Sequence, residues 1–288
     1  MRIEKAATLY SRVLIKKNNV KRMKYLVLLP FFAGPAFPPA AAADTAPAYH
    51  LSPSMDAAAL AGTGALWIGG YFAETRIEPF DSADIPLFDR EDVNPFDRSA
   101  TRRWSPEAGD ASYYTLYACM GAPVFLMLDK KARKDYLALC VMYVQTIGLT
   151  HALSSLAKAA AERPRPFLYN PDAPLSDKLA ADARKSFFSG HSSKAFASGV
   201  FLAAVFREYH PGSRWNRAVL GFSLSAAAAT GCLRYSAGKH FPSDILTGAV
   251  AGGSIGFLVP YFHRRGSRWN KAALNISGDR AVSVIYSF

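Results

Sequence analysis

Five long apolar runs separated by polar connections constrain the fold of this chain most strongly. They cover residues 112–128, 136–157, 192–206, 217–233 and 245–262. None of them alternates strictly between apolar and polar residues, and all are rich in Ala, Leu and small residues, so the pattern predicts helices. Several approach the ~17–20 residues that a membrane span needs. The sequence therefore predicts an all-α helical bundle that crosses a membrane several times.

Positive charge collects in three of the connections between these runs. The 288 residues carry a formal net charge of +12, and the connections 129–135, 207–217 and 263–271 are strongly basic. The sequence contains no nucleic-acid motif, and basic clusters placed between apolar runs favour a membrane surface over nucleic acid as the partner. If all five runs span, the positive-inside rule places these connections in the cytoplasm, and connections 158–191 and 234–244 face outward.

The N-terminus has the pattern of an export signal. A basic stretch, residues 16–22, precedes a short apolar core that begins at Met23 and ends in Ala-x-Ala at Ala43. The pattern predicts that residues 1–43 are an upstream extension plus a signal peptide, with an uncleaved anchor as the alternative. A cleaved signal leaves the new N-terminus outside, which fits five spans. The apolar run 56–73 is then expected to pack on the outer surface or to re-enter without crossing.

The two outward connections contain three charged motifs. They are Lys158-x6-Arg165-Pro166, Ser189-Gly190-His191 and Arg234-x5-His240-x3-Asp244. Arginine offers a planar fork that matches two phosphate oxygens, and lysine adds a point charge. The Ser189-Gly190-His191 turn precedes an apolar helix, whose first N–H groups can bind an anion. The motifs therefore indicate a phosphate site on one face of the bundle.

Two histidines within these motifs suit phosphoryl transfer through a covalent intermediate. One imidazole can attack phosphorus while the other protonates the leaving oxygen. The attacking ring must be neutral and in the correct tautomer, which a carboxylate on its other nitrogen secures. Asp244 follows His240 by four residues and is predicted to make that contact.

In this order, the three motifs resemble the signature of the type-2 phosphatidic acid phosphatase superfamily, which also includes bacterial class A acid phosphatases and vanadium haloperoxidases. The resemblance covers about residues 112–262 and implies a mechanism with no metal and no cofactor. Two positions depart from the usual pattern, since Phe188 replaces a proline and Leu233 replaces a serine. These departures affect the expected loop shape and remove no catalytic group.

The resemblance assigns a role to each matching residue. His240 is expected to be the nucleophile, Asp244 its orienting partner and His191 the acid that protonates the leaving group. The expected phosphate ligands are Lys158, Arg165, Arg234 and the Ser189-Gly190 turn.

These features predict a metal-independent phosphatase that hydrolyses a lipid phosphate monoester or pyrophosphate through a phosphohistidine. The predicted location is a bacterial inner membrane, with the active site facing the periplasm and with no obligate protein partner. The main alternative is a soluble periplasmic acid phosphatase of broad specificity. A vanadate-dependent haloperoxidase and a non-catalytic binder of phosphate headgroups are further alternatives.

The predicted organisation has four segments. Residues 1–43 hold the extension and signal, residues 44–111 a helix and a polar loop, residues 112–262 the catalytic helical core, and residues 263–288 a basic tail with a strand-like end. Arg163, two residues before Arg165, is interpreted as a solvated side chain.

Overall fold

The computed structural model describes residues 48–265 and the backbone of residues 272–276 and 282–286. The predicted extension and signal peptide, residues 1–43, lie outside the described residues. Most of the described chain is helical, which confirms the predicted all-α class. The long helices are α1 (Pro53–Thr75), α2 (Pro106–Gly121), α3 (Tyr136–Ala161), α4 (Gly190–Tyr209), α5 (Trp215–Ser236) and α6 (Pro242–His263).

Short elements connect the long helices. The segment between α1 and α2 contains the 3-10 helices Ile85–Leu87, Arg90–Asp92 and Ser99–Arg102 and the short α-helix Pro95–Arg98. Helix α2 continues as the 3-10 helix Ala122–Leu128, and Ala132–Asp135 precedes α3. Pro166–Tyr169, Leu175–Lys178 and Ala181–Arg184 lie between α3 and α4.

The basic tail ends in a β-hairpin, as its strand-like pattern predicts. Strand β1 (Ala272–Ile276) pairs in antiparallel register with β2 (Val282–Tyr286). Leu274 faces Val284 at the centre of the ladder.

Helix α1 runs the length of the bundle along α3 and so packs within the bundle rather than on its outer surface. It is not among the segments of the described chain that are long and apolar enough to cross a membrane, so its expected lack of a crossing stays a prediction. Near its start, Asp56 Oδ1 lies 2.6 Å from Nε2 of His263, at the end of α6. Near its end, Glu74 Oε2 lies 3.3 Å from Nζ of Lys185, beside the start of α4. Its 23 residues correspond to about 34 Å at ~1.5 Å per residue. Helix α1 is therefore a full member of the bundle, and residues 48–52 lie at the end opposite Lys185.

Three segments are long and apolar enough to cross a membrane: Pro106–Leu128, Ala132–Tyr169 and Pro242–His263. They correspond to three of the five predicted spans. The other two runs, 192–206 and 217–233, form α4 and α5 but do not meet that criterion within the described residues. For α4 the reason is visible in its sequence, because this helix has serines at 192, 193 and 198 and a lysine at 194 within its first half.

Helix α4 lies at the centre of the bundle and packs against α6 at very short range. Gly248, Gly252 and Gly256 recur every four residues on the face of α6 that meets α4. A Cβ atom at Gly248 would lie 2.7 Å from the carbonyl oxygen of Ser189. Small residues of this kind allow helix backbones to approach closely where apolar burial contributes little, as in a membrane.

Large apolar side chains point outward around much of the bundle. Phe222, Tyr114 and Leu128 are 79%, 76% and 76% exposed, and Phe125 and Ile68 follow at 71% and 60%. An apolar surface of this extent is typical of an interaction with lipid rather than of a monomer in water. It agrees with the predicted multi-pass membrane bundle.

Candidate active site

The three charged motifs meet at one end of the bundle. Lys158 lies in the last turn of α3, which ends where Glu162 adopts a left-handed φ of 40°. Arg165 follows in the connection, and His191 occupies the second position of α4. Arg234 lies in the last turn of α5, and His240 lies just before α6. Helix ends therefore bring together residues that are up to 82 positions apart in sequence.

His240 is held at this end with a defined tautomer. The residue is 1% exposed, and its Nδ1 lies 2.7 Å from the backbone carbonyl oxygen of Ser186. A carbonyl oxygen can only accept, so Nδ1 carries the proton and Nε2 carries a lone pair. A neutral imidazole with a free Nε2 lone pair has the form that a nucleophile requires.

Asp244 does not make the direct contact with His240 that the sequence predicts. Its Oδ2 lies 3.9 Å from Nδ1 of His240, which is too far for a hydrogen bond. The same oxygen accepts a hydrogen bond from Ser186 Oγ at 2.6 Å and from the N–H of Phe241 at 2.9 Å. The expected orienting contact is therefore indirect: Asp244 holds Ser186, and the carbonyl of Ser186 holds the imidazole.

Arg165 is buried and held in place by the protein. Its Nε and Nη2 donate to the carbonyl oxygen and Oδ1 of Asp182 at 2.8 and 2.7 Å. Its Nη1 donates to the carbonyl oxygen of Lys239 at 3.0 Å. Each Nη atom has a second hydrogen, so the fixed guanidinium can still offer a pair of donors to an anion.

Two side-chain atoms at this end are buried without a protein partner. Within residues 48–265, four buried side-chain nitrogen or oxygen atoms have none, and two of these are Nε of Arg234 and Nε2 of His191. Arg234 is 5% exposed, and its Nη1 reaches Ser112 Oγ at 3.4 Å. Buried polar atoms without a partner are costly, so each one calls for an explanation such as a bound ligand.

The two residues of the Ser189-Gly190 turn, both predicted to bind phosphate, have different surroundings in the structure. The hydroxyl of Ser189 caps α4 by accepting from Ser192 N at 3.3 Å, and its N–H donates to the carbonyl oxygen of Asp244 at 3.1 Å. Both groups are thus engaged within the protein, which argues against the predicted phosphate contact from Ser189. A Cβ atom at Gly190 would lie 3.5 Å from Nζ of Lys158, so the open backbone of this glycine faces the predicted lysine ligand.

Both histidines are neutral in the folded protein at neutral pH. Burial is the largest cause that holds the pKa of His240 well below its ordinary value, and Arg165, Arg234 and Lys158 lower that pKa further. Burial also lowers the pKa of His191 to about 2, with Arg234 next in importance. The cations that would bind a phosphate therefore also favour the neutral form of both imidazoles.

Sequence reasoning missed several residues that support this site. Arg163 is not a solvated side chain, because it is only 15% exposed and pairs with Asp244 and with Asp97. Burial opposes the ionisation of Asp97, but Arg163 and hydrogen bonds from Ser243 and Asn94 outweigh it and hold the pKa of Asp97 below its usual range. Arg163 lies inside the first motif, and this position could have indicated that it supports the site.

Other supporting residues gave no signal in the sequence. Tyr113 of α2 places its ring edge-on at 4.7 Å from the ring of His191. Ser112, next to it, contacts Arg234. Lys194, one turn after His191, lowers the pKa of that imidazole. Each depends on how α2 and α4 pack at this end.

A family model matches the part of the chain that contains most of these residues. The model for the PAP2 superfamily matches residues 135–268, which contain all three motifs. Residues 135–268 are thus similar to the PAP2 superfamily. The resemblance of the three motifs to the type-2 phosphatidic acid phosphatases is thereby confirmed.

A curated protein is also similar to part of this chain. It is 31% identical over 155 residues to the "Probable diacylglycerol pyrophosphate phosphatase 1" of Schizosaccharomyces pombe, and the match covers 50% of each protein. The chain thus spans about half the length of this relative.

Two solved structures are also similar. The first is a transmembrane PAP2 type phosphatidylglycerolphosphate phosphatase from Bacillus subtilis, with 22% identity, a TM-score of 0.42 and coverage of 69% of this chain and 94% of that one. The second is LpxE from Aquifex aeolicus, with 23% identity, a TM-score of 0.40 and coverage of 56% and 90%.

Proposed function

We propose that this protein is a metal-independent phosphatase that hydrolyses a lipid phosphate monoester or pyrophosphate through a phosphohistidine intermediate. The observation that carries the proposal is the end of the bundle where two neutral histidines, the buried His240 and the partly buried His191, lie among three cations. Nε of Arg234 and Nε2 of His191 are buried there without a protein partner. The match of residues 135–268 to the PAP2 superfamily supports the same reaction. The exposed apolar side chains of the bundle favour a lipid over a soluble ester.

The first step forms a bond between His240 and phosphorus. Lys158, Arg165 and Arg234 hold the phosphate oxygens, and the Nε2 lone pair of His240 attacks phosphorus from the side opposite the lipid oxygen. The N–P bond forms as the P–O bond breaks, and the electron pair of that bond leaves with the lipid oxygen. His191 donates a proton to this oxygen, so that the product leaves as a neutral alcohol, or as a monophosphate when the substrate is a pyrophosphate.

The second step reverses the proton transfer. His191, now neutral, accepts a proton from a water molecule whose oxygen attacks phosphorus. The new P–O bond forms, the N–P bond breaks and its electron pair returns to Nε2 of His240. One lipid phosphate and one water become one alcohol and one phosphate, and both imidazoles return to their initial protonation states.

His191 must be protonated for the first step, although it is neutral in the free protein. A phosphate dianion within a few ångströms offsets the charge of Lys158, Arg165 and Arg234 and favours the imidazolium. We therefore expect His191 to gain its proton only when substrate is bound.

The test is phosphate release by detergent-purified protein in the presence of EDTA. The panel contains phosphatidic acid, diacylglycerol pyrophosphate, phosphatidylglycerol phosphate and p-nitrophenyl phosphate, with His240→Ala assayed in parallel. We expect release from lipids only, abolished in His240→Ala, and an alkali-stable phosphoprotein when the reaction is quenched. Comparable activity on p-nitrophenyl phosphate would instead favour a broad acid phosphatase. Unchanged activity in His240→Ala would refute the nucleophile assignment.

We further propose that the catalytic end faces the periplasm of a bacterial inner membrane. The support is the basic character of the opposite end, where connections 129–135 and 207–217 lie. The orientation also depends on helix α1, because this helix places residues 48–52 at the basic end. Secretory cleavage after Ala43 would put these residues in the periplasm, which conflicts with this orientation if α1 crosses.

A membrane-impermeant maleimide can decide the orientation. His50→Cys would be introduced into an active variant in which Cys119, Cys140 and Cys232 are replaced by serine or alanine. Protection of the introduced thiol in intact spheroplasts, with labelling after lysis, supports a periplasmic catalytic end. Labelling in intact spheroplasts contradicts it.

A further inference from the structure

A buried carboxylate outside the three motifs is attached to the start of α6. Asp97 lies in the short helix Pro95–Arg98 and is 1% exposed. Its Oδ1 accepts from the N–H of Ser243 at 2.9 Å, and its Oδ2 accepts from Ser243 Oγ at 2.6 Å. Ser243 is the second residue of α6. Asp97 therefore caps the helix that begins two residues after His240, where the helix dipole favours negative charge.

Arg163 links this carboxylate to Asp244. Its Nη2 lies 2.7 Å from Oδ2 of Asp97, and its Nη1 donates to Oδ1 of Asp244. Nη1 also lies 2.8 Å from Ser243 Oγ, and the guanidinium stacks 4.2 Å from the ring centre of Phe241. Two different nitrogens of one planar fork thus bind two carboxylates, which a single ammonium group cannot reproduce.

The contacts continue from Asp244 to the proposed nucleophile. The Oδ1 of Asp244 is engaged by Arg163, while its Oδ2 holds the hydroxyl of Ser186 at 2.6 Å. The carbonyl of Ser186 fixes Nδ1 of His240 at 2.7 Å. Rotation of the Asp244 carboxylate would release Ser186 and, with it, the acceptor that sets the tautomer of His240.

We propose that Asp97 and Arg163 are positioning residues for the nucleophile, acting on His240 through Asp244 and Ser186. The inference rests on the proposed function, in which His240 attacks phosphorus. Neither residue contacts the phosphate-binding groups Arg165 and Arg234 in any described hydrogen bond or ion pair. Their loss is therefore expected to change the rate of the chemical step and to leave phosphate binding unaltered.

The experiment compares Arg163→Lys, Asp97→Asn and the double variant with Arg102→Gln. Arg102 is an exposed arginine in the same segment as Asp97, so Arg102→Gln controls for the replacement of a charged side chain near the site. We expect kcat on the lipid phosphate to fall on the order of 10²-fold in each single variant, the effect of a misplacement of ~1 Å at a reacting group. The KM and the inhibition constant of inorganic phosphate should match those of Arg102→Gln.

The double variant and the melting temperature separate positioning from general stability. Because the two residues act through one chain of contacts, the kcat of the double variant should be no lower than that of the less active single variant. The proposal is overturned if Arg163→Lys and Asp97→Asn keep the kcat of the control. It is also overturned if kcat and phosphate affinity fall together with the melting temperature, since that pattern indicates a purely structural role. Failure of the proposed function is recognised separately, by wild-type activity that persists in His240→Ala.

Discussion

The contact between α4 and α6 sets the spacing of the two histidines, and a single methyl group at Gly252 should disturb it. A Cβ atom there would overlap the carbonyl oxygen of Ser193 and lie 2.6 Å from its carbonyl carbon. Carbon atoms in contact prefer about 3.5–4.0 Å. The backbones of α4 and α6 would therefore have to separate by about 1 Å at this point.

That separation acts directly on the site. Ser193 follows His191 by two residues on α4, and α6 begins two residues after His240. Overpacking of this kind costs about 1–3 kcal/mol of stability. A displacement of ~1 Å between reacting groups lowers the rate on the order of 10²-fold. We therefore expect Gly252→Ala to lower both the melting temperature and kcat/KM, the latter by roughly that factor.

Gly253→Ala is the matched control, because it adds the same methyl group one residue further along α6. Its Cβ would meet only Val200 Cγ2 at 3.7 Å, which is an ordinary contact. Alanine is also favoured over glycine within a helix by up to ~1 kcal/mol. Phosphate release and thermal unfolding in detergent should show Gly253→Ala at wild-type activity with an equal or higher melting temperature. Equal activity and stability of the two variants would refute this account of the α4–α6 contact.

Three further predictions concern pH, phosphate binding and the opposite end of the bundle. The pKa values of His191 and His240 in the folded protein lie below 6.5, the ordinary pKa of histidine, so the unfolded chain takes up protons first as the pH falls below 6.5. Denaturation at pH 7 and pH 5 should therefore show stability decreasing towards acid by up to about 1.4 kcal/mol per pH unit for each histidine. The variant His191→Gln should reduce that slope. Arg165→Lys should lose the paired contact with Asp182 and lower kcat/KM on the order of 10²-fold, with a weaker inhibition constant for inorganic phosphate. Asp56→Asn, which weakens contacts far from the site, should cost about 1–3 kcal/mol in thermal unfolding and leave kcat/KM unchanged.

The helical architecture was accessible from the sequence because it depends on local patterns. The apolar runs became helices, and the strand-like tail became a hairpin. The position of α1 could not be predicted from the sequence in the same way. An apolar run of moderate length, 56–73, is compatible with a surface, re-entrant or crossing helix. Contacts such as Asp56 with His263, 207 residues apart, place the helix within the bundle.

The site was predictable to the extent that its residues lie in motifs with fixed spacing. His191, His240 and the predicted cations lie at one end of the bundle, because each motif is attached to a helix end on the same side. The spacing of four residues predicts a contact between Asp244 and His240. In the structure, the Asp244 carboxylate instead accepts a hydrogen bond from the hydroxyl of Ser186. Asp97 could not be assigned, because its partner Arg163 is 66 residues away and no local pattern links them.

The electrostatics of the site also order the steps of the proposed reaction. Lys158, Arg165 and Arg234 gather positive charge around the two imidazoles, and the ion pair of Arg165 with Asp182 offsets part of it. A neutral ring suits His240, which attacks through its lone pair, and does not suit His191, which must give up a proton. Bound phosphate removes the repulsion that keeps His191 neutral, while His240 donates its Nδ1 proton to a carbonyl and so keeps its tautomer. One arrangement of cations can thus keep the nucleophile ready in the free protein and supply the acid only after substrate has entered.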